Sequence, residues 1–194
     1  MITIVSCSHY PDDERIYHKE IKTLAKKKYS INYFTLSESK ENLSDKSINH
    51  INYSSAKHSI KEYIDLVELE IKETPTKVIH IHEPELFSLA VNIKKMIGAK
   101  IIYDVHEDYI SMIYTFSRWN KYVKYLRSKY WLFKEKFFLK KVDEIIIASS
   151  TIVNSDFKTQ GFSPVLLENF PLSTLVNNID LRYKIKNSLI YHGN

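Results

Sequence analysis

One pattern limits this chain more than any other: short runs of β-branched and aromatic residues alternate with helically spaced apolar residues along its whole length. Strand character falls at 2–7, 30–36, 48–53, 78–82, 100–106, 144–148 and 165–170. After the first run, Asp12, Asp13 and Glu14 place acids at the positive end of a helix dipole, and Ile16, Tyr17, Ile21, Leu24 and Ala25 follow at helical spacing. Ile60, Ile64, Val67 and Ile71 share one face over 59–73, and Pro84 opens a helix that runs to Ile97 and stops at Gly98. The segment 109–142 reads as one long helix, and 151–160 as a shorter one ending at Gly161. This alternation predicts a Rossmann-like three-layer α/β/α domain with a mostly parallel sheet and right-handed crossovers. A chain of 194 residues is one domain's worth and buries enough surface to fold without a disulfide or a metal.

Composition then removes several functions. Only three glycines are present, at 98, 161 and 193, too few and too scattered for a glycine-rich phosphate cradle. Cys7 is the single cysteine, so an internal disulfide framework is excluded and a reducing compartment fits. No window approaches 18 uninterrupted apolar residues, and the N-terminus lacks the basic start and cleavage pattern of a signal peptide.

In open α/β sheets chemistry gathers at the carboxyl ends of the strands. Three such ends here share a polar character: Ser8-His9-Tyr10-Pro11-Asp12-Asp13-Glu14-Arg15, His80-Ile81-His82-Glu83-Pro84-Glu85, and Asp104-Val105-His106-Glu107-Asp108-Tyr109. Their convergence would build a cleft rich in imidazole and carboxylate. Strand alternation puts His80 with His82, and Asp104 with His106, on shared faces. Three readings stay open for them: a metal site, a general acid/base pair, or satisfied polar groups within the sheet layer. No HExxH or CxxC spacing supports the metal. Asp12 to Glu14 read as helix-capping residues, which leaves Arg15 surplus to that task.

The segment 118–141 is a second constellation, with nine Lys or Arg against the single acid Glu135, and eight aromatics. The chain carries +5 overall, yet outside this segment 22 acids outnumber 19 bases. Trp119, Val123, Leu126, Tyr130, Phe133 and Phe137 follow the helical step, which predicts that they pack on the sheet. Arg118, Trp119, Lys121, Lys124, Arg127, Lys129, Trp131 and Lys134 are then candidates for contact with an anionic membrane surface. The alternative is a solvated helix whose lysine stems cover the core. Nucleic acid is not expected, because no binding motif accompanies the charge.

The three strand-end motifs together resemble the N-terminal domain of GT-B glycosyltransferases of the family 4-like group. The resemblance rests on Asp13-x-Arg15-Ile16-x-x-Lys19, on His82-Glu83-Pro84-Glu85-Leu86 (with Glu83 where the group usually has Asp), and on Tyr103-Asp104-Val105-His106-Glu107-Asp108-Tyr109. Asn169-Phe170-Pro171 resembles the turn near the group's domain boundary, and Tyr191-His192-Gly193 resembles the first strand of its second domain. The resemblance implies an acceptor-binding domain over 1–187 and a stub of a donor-binding domain over 188–194. It implies transfer of a sugar from a nucleotide-sugar to a polysaccharide or lipid-linked acceptor, with no metal and no other cofactor. His106 matches a histidine beside the donor sugar and is the implied catalytic residue. Asp13, Arg15, Lys19, His82, Glu83, Glu85, Glu107, Asp108, Tyr109 and Asn169 become implied acceptor-side residues; from their charge near a helix N-terminus, and not from the resemblance, Arg15 and Lys19 are expected to meet an acceptor phosphate.

The setting implied is cell-envelope polysaccharide assembly at the inner face of the plasma membrane, with the protein cytoplasmic and peripheral. Three versions follow: a fragment inactive without its donor domain, one half of a split enzyme with a separate donor chain, or a non-catalytic carbohydrate or lipid-carrier binding module. A metal-dependent hydrolase using His82, Asp104 and His106 is the reading from the residues alone that departs furthest from these.

Overall fold

The computed structural model describes residues 1–39, 43, 45, 47–152 and 157–170. Seven parallel strands form one sheet: β1 (Ile2–Ser6), β2 (Ile31–Leu36), β3 (Ile48–Tyr53), β4 (Val78–Ile81), β5 (Lys100–Val105), β6 (Glu144–Ile147) and β7 (Val165–Leu166), in the spatial order β3-β2-β1-β4-β5-β6-β7. The order reverses between β1 and β4, the place where such sheets open a crevice at their carboxyl edge. This is the Rossmann-like α/β fold that the alternation predicts.

Helices cover both faces. On one side α2 (Ile60–Glu73), α3 (Phe87–Ile97, entered through a 3-10 turn at Pro84–Leu86) and α5 (Lys121–Leu139) bury the larger core, which includes Val5, Phe34, Ile79, Ile81, Ile101, Tyr103 and Val105 of the strands. α2 begins with a capping box in which Ser59 and Glu62 satisfy each other's backbone donors. α3 ends at Gly98, whose φ of 71° takes the left-handed conformation that closes the helix. On the other side α1 (14–26) packs Ile16, Tyr17 and Ile21 against Ile4, Ile31, Tyr33 and Ile48. α1 is π-helical over Glu14–Ile21 and continues as α-helix over Lys22–Lys26, with Asp13 capping its start through the N–H groups of Arg15 and Ile16.

Three expectations change. The long helix over 109–142 is two helices, α4 (Tyr109–Phe116) and α5, because Asn120 takes an extended conformation and caps a new start through the N–H groups of Tyr122 and Val123. Of the helix expected over 151–160, the described residues hold one 3-10 turn, Lys158–Gln160. The last strand pairs only at Val165 and Leu166, on the sheet edge. The strand expected over 188–194, and with it the domain boundary at 187, lies outside the described residues.

Candidate functional site

β4 and β5 pair with His80 opposite Ile102. Side chains alternate along a strand, so His80, His82, Asp104 and His106 project to the α1 side of the sheet. α1 meets them there with Arg15. One guanidinium nitrogen, Nη2, lies 3.0 Å from each Asp104 oxygen, Nε lies 3.3 Å from Oδ2, and Nη1 donates to the Leu167 carbonyl. Arg15 and Asp104 are both buried. A buried charge pair of this kind holds because each ionic group finds several partners.

Glu20 joins them, and sequence periodicity gives no sign of it. In an α-helix a residue five positions on lies about 140° around the axis. The wider π winding of 14–21 instead returns Glu20 to the same side as Arg15, 3.1 Å from Nε to Oε1, although not aligned as a hydrogen bond. Burial and the neighbouring Asp104 charge push the Glu20 carboxyl up to about 9, against the opposing pull of Arg15. One guanidinium thus serves two carboxyls, one of them protonated at neutral pH.

The histidines complete the cluster. His82 Nδ1 lies 3.1 Å from His106 Nε2, and Asp104 Oδ2 lies 3.4 Å from His106 Nε2 and 3.6 Å from His82 Nδ1. Burial, helped by the surrounding positive groups, lowers His80 to about 4 and lowers His82 well below its ordinary value, against the attraction of Asp104. Burial alone would raise Asp104; the hydrogen bond with His106 and the charges of the imidazoles outweigh it and hold Asp104 well below the usual carboxylate range. Among the described residues, Glu20, His80, His82 and Asp104 bring one potential ligand atom each within 4.8 Å of one another. The Arg15 guanidinium also sits on the Asp104 carboxylate there, so a cationic side chain faces the same group.

Glu83 organises the neighbouring turn. Its carboxylate accepts from Ser6 Oγ (2.6 Å), Ser8 Oγ (2.9 Å) and the N–H groups of Cys7 and Ser8 (both 3.1 Å), which ties the end of β1 to the end of β4. His9 follows in the same turn. Its Nδ1 is 3.1 Å from Asp13 Oδ2, and its ring meets the His106 ring edge-on at 4.9 Å between centroids. Burial opposes the charged His9 ring, but the hydrogen bond to Asp13 and the Glu83 charge prevail and raise it. Asp13 is lowered to about 2, because the same bond and the N–H groups of Ile16 and Arg15 outweigh its desolvation.

Above this cluster opens a pocket of about 330 Å³ lined by residues of all three strand ends, among them His9, His82, Glu85, His106, Glu107 and Tyr109. Of the expected acceptor-side residues, His82, Glu83, Glu85, Glu107 and Tyr109 reach it together with His106, and the other five lie elsewhere. Arg15 is committed to Asp104, and Asp13 to His9 and the α1 cap. Asp108 caps α4 through the Ser111 N–H, while Lys19 pairs with Glu14 and donates to Asn169. Arg15 and Lys19 are therefore held by the protein's own acceptors rather than turned toward an acceptor phosphate. His9 and Glu20 are the additions. His9 lies in the polar strand end already singled out, and its spacing of four from Asp13 across a helix start is a second signal; nothing in the spacing marks Glu20.

The basic aromatic segment departs from its expected orientation. Phe138, Leu139 and half-buried Trp131 pack inward, with Phe138 stacked on Phe87 at 3.6 Å between centroids. Leu126, Tyr130, Phe133 and Phe137, expected on the sheet, are exposed, and so is Trp119. Of the candidate membrane residues, Arg118, Lys121, Arg127, Lys129 and Lys134 are exposed and Lys124 is partly so. No described helix is long and apolar enough to cross a membrane.

No protein-family model matches the chain, and no curated protein matches it by sequence. Among solved structures it is similar to a sucrose-phosphate synthase from Thermosynechococcus elongatus, with a TM-score of 0.56 at 12% identity. The match covers 76% of this chain and 42% of that one, so the likeness is one of fold over less than half of the larger protein.

Proposed function

We propose that this domain is a glycosyltransferase module that binds the sugar acceptor, with His106 as the group that takes the proton from the acceptor hydroxyl. One observation carries the reading: at the reversal point of the sheet, His106 lines the pocket while its Nε2 is held from behind by Asp104 and His82. An imidazole whose Nε2 proton faces a buried carboxylate carries its lone pair on Nδ1, the arrangement that makes a positioned base. In the transfer, the acceptor oxygen bonds to the anomeric carbon of a nucleotide-sugar as its proton passes to His106. The bond from that carbon to the diphosphate oxygen breaks, and the nucleoside diphosphate leaves with the electron pair.

The pocket's composition favours a particular acceptor. Glu85 and Glu107 face it and, among the described residues, no Lys or Arg lines it. Carboxylates accept hydrogen bonds from sugar hydroxyls and repel anions, so a neutral or amino sugar suits the site better than a phosphate or a uronic acid. The fold likeness to a sucrose-phosphate synthase supports the sugar-transfer reading, and the donor half is a separate part of the proposal, as a further domain or a partner chain.

Ligand-observed NMR on the full chain with methyl glycosides, glucosamine and glucuronic acid tests the binding. Saturation transfer to the neutral and amino sugars, weakened in Glu107→Gln, is expected; preferential binding of glucuronic acid would overturn the acceptor assignment. For catalysis, the transfer rate with an added donor half falls at least tenfold in His106→Ala. Full binding in that variant with no transfer by either protein would favour the non-catalytic binding module.

A further inference from the structure

The outer face of α5 carries an aromatic stripe that the sequence spacing marks but assigns to the sheet. At about 100° per residue, Tyr122, Leu126, Tyr130, Phe133 and Phe137 fall within an arc of about 80°, and each is at least 65% exposed. The buried residues Ser128, Glu135, Phe138 and Leu139 lie on the opposite side. Along one flank of the exposed stripe run Arg127 and Lys134; along the other run Lys129 and Lys136. Cations lie close to the aromatic rings, with the Arg127 guanidinium 3.9 Å from the Trp119 centroid. Phe116, 76% exposed at the end of α4, adds a further apolar group near the start of α5.

We propose that this face is an interfacial docking surface for an anionic phospholipid bilayer, on which α5 lies flat. An apolar stripe bordered on both sides by basic residues is what such an interface selects: the rings enter the headgroup boundary while the flanking charges meet lipid phosphates. Nineteen residues give α5 a length of about 28 Å, enough for sustained contact along the surface. Charge argues against the other occupants. A second copy would set two strongly basic faces against each other. Residues 171–194 of the same chain carry one acid and three Lys or Arg, so they offer no complement. The helix leaves the carboxyl edge of the sheet through α4, whose first residue Tyr109 lines the pocket, so a docked domain presents its cleft beside the lipid surface.

Vesicle co-sedimentation of the full chain tests this, using phosphatidylcholine alone and phosphatidylcholine mixed with phosphatidylglycerol, at low and high salt. Partitioning onto the anionic vesicles is expected to exceed that onto the neutral ones by about tenfold or more and to fall with salt. The combined variant Tyr122→Ser, Leu126→Ser, Phe133→Ser, Phe137→Ser loses it while keeping the wild-type near-ultraviolet circular dichroism. If that variant fails to fold, Arg127→Glu with Lys134→Glu supplies the same test through charge. Equal partitioning onto both vesicles overturns the proposal. So does a dimer in solution that the serine variant abolishes, or binding of an RNA oligonucleotide that displaces the vesicles. Glycoside binding is measured without lipid, so this inference and the sugar-transfer reading can fail separately.

Discussion

Arg15 holds its guanidinium against Asp104 and beside Glu20 beneath the sheet edge, whereas Arg127 lays the same group over an aromatic ring on an exposed helix. The buried arginine is fixed by several specific partners, because an unpartnered charge out of water is costly. The exposed one needs no partner, because water already solvates it and screens its neighbours. Charge in the buried cluster beneath the pocket is therefore structural and close to balanced. Charge on α5 is in excess and free to meet something outside the protein.

That contrast gives graded expectations. The largest effect belongs to Asp104→Ala, which leaves Arg15 buried without its carboxylate and costs about 3–5 kcal/mol in urea unfolding; a loss under about 1 kcal/mol would show that the cluster is not what holds the sheet edge. Glu83→Ala comes next. It strands the hydroxyls and N–H groups of 6–8, with a loss of about 1–3 kcal/mol and a looser pocket wall, read as faster hydrogen exchange at Cys7 and Ser8.

A pH effect separates the regions further. Glu20 titrates at about 9 in the fold against an ordinary 4.5, so the folded state keeps a proton that the unfolded chain gives up. Its contribution to stability is complete below pH 4.5, declines as pH rises, and is gone above about 9. Glu20→Gln keeps the neutral form throughout, so its melting temperature relative to wild type rises across that window; a constant offset would place Glu20 as an ordinary ionised carboxylate. The smallest effect belongs to Phe133→Ser, whose side chain is mostly in water. Its stability stays within about 0.5 kcal/mol of wild type, checked by thermal melting, and a larger loss would mean that the stripe is packed after all.

The two regions were also unequally legible. The cleft could be read because strand alternation has a period of two, and that period puts His80, His82, Asp104 and His106 on one side whatever covers them. What covers them could not be read, since Glu20 arrives through π winding, which leaves no mark on α-helical spacing. On α5 the apolar residues form two helical stripes, one through Trp131 and Phe138 and one through Tyr130 and Phe137. Periodicity finds both with equal ease, and the inward face even carries the polar Ser128 and Glu135.

The sequence by itself determined the alternating elements, the parallel sheet and the polar strand ends, because those follow from local spacing and from the limited ways a strand and a helix can pack. Only the tertiary structure decided that Arg15 neutralises Asp104, that Glu83 staples β1 to β4, and that the aromatic stripe of α5 faces outward. Each of these depends on which groups meet across 75 or more positions of chain, or on which of two apolar faces fills the core better, and neither quantity is present in local sequence.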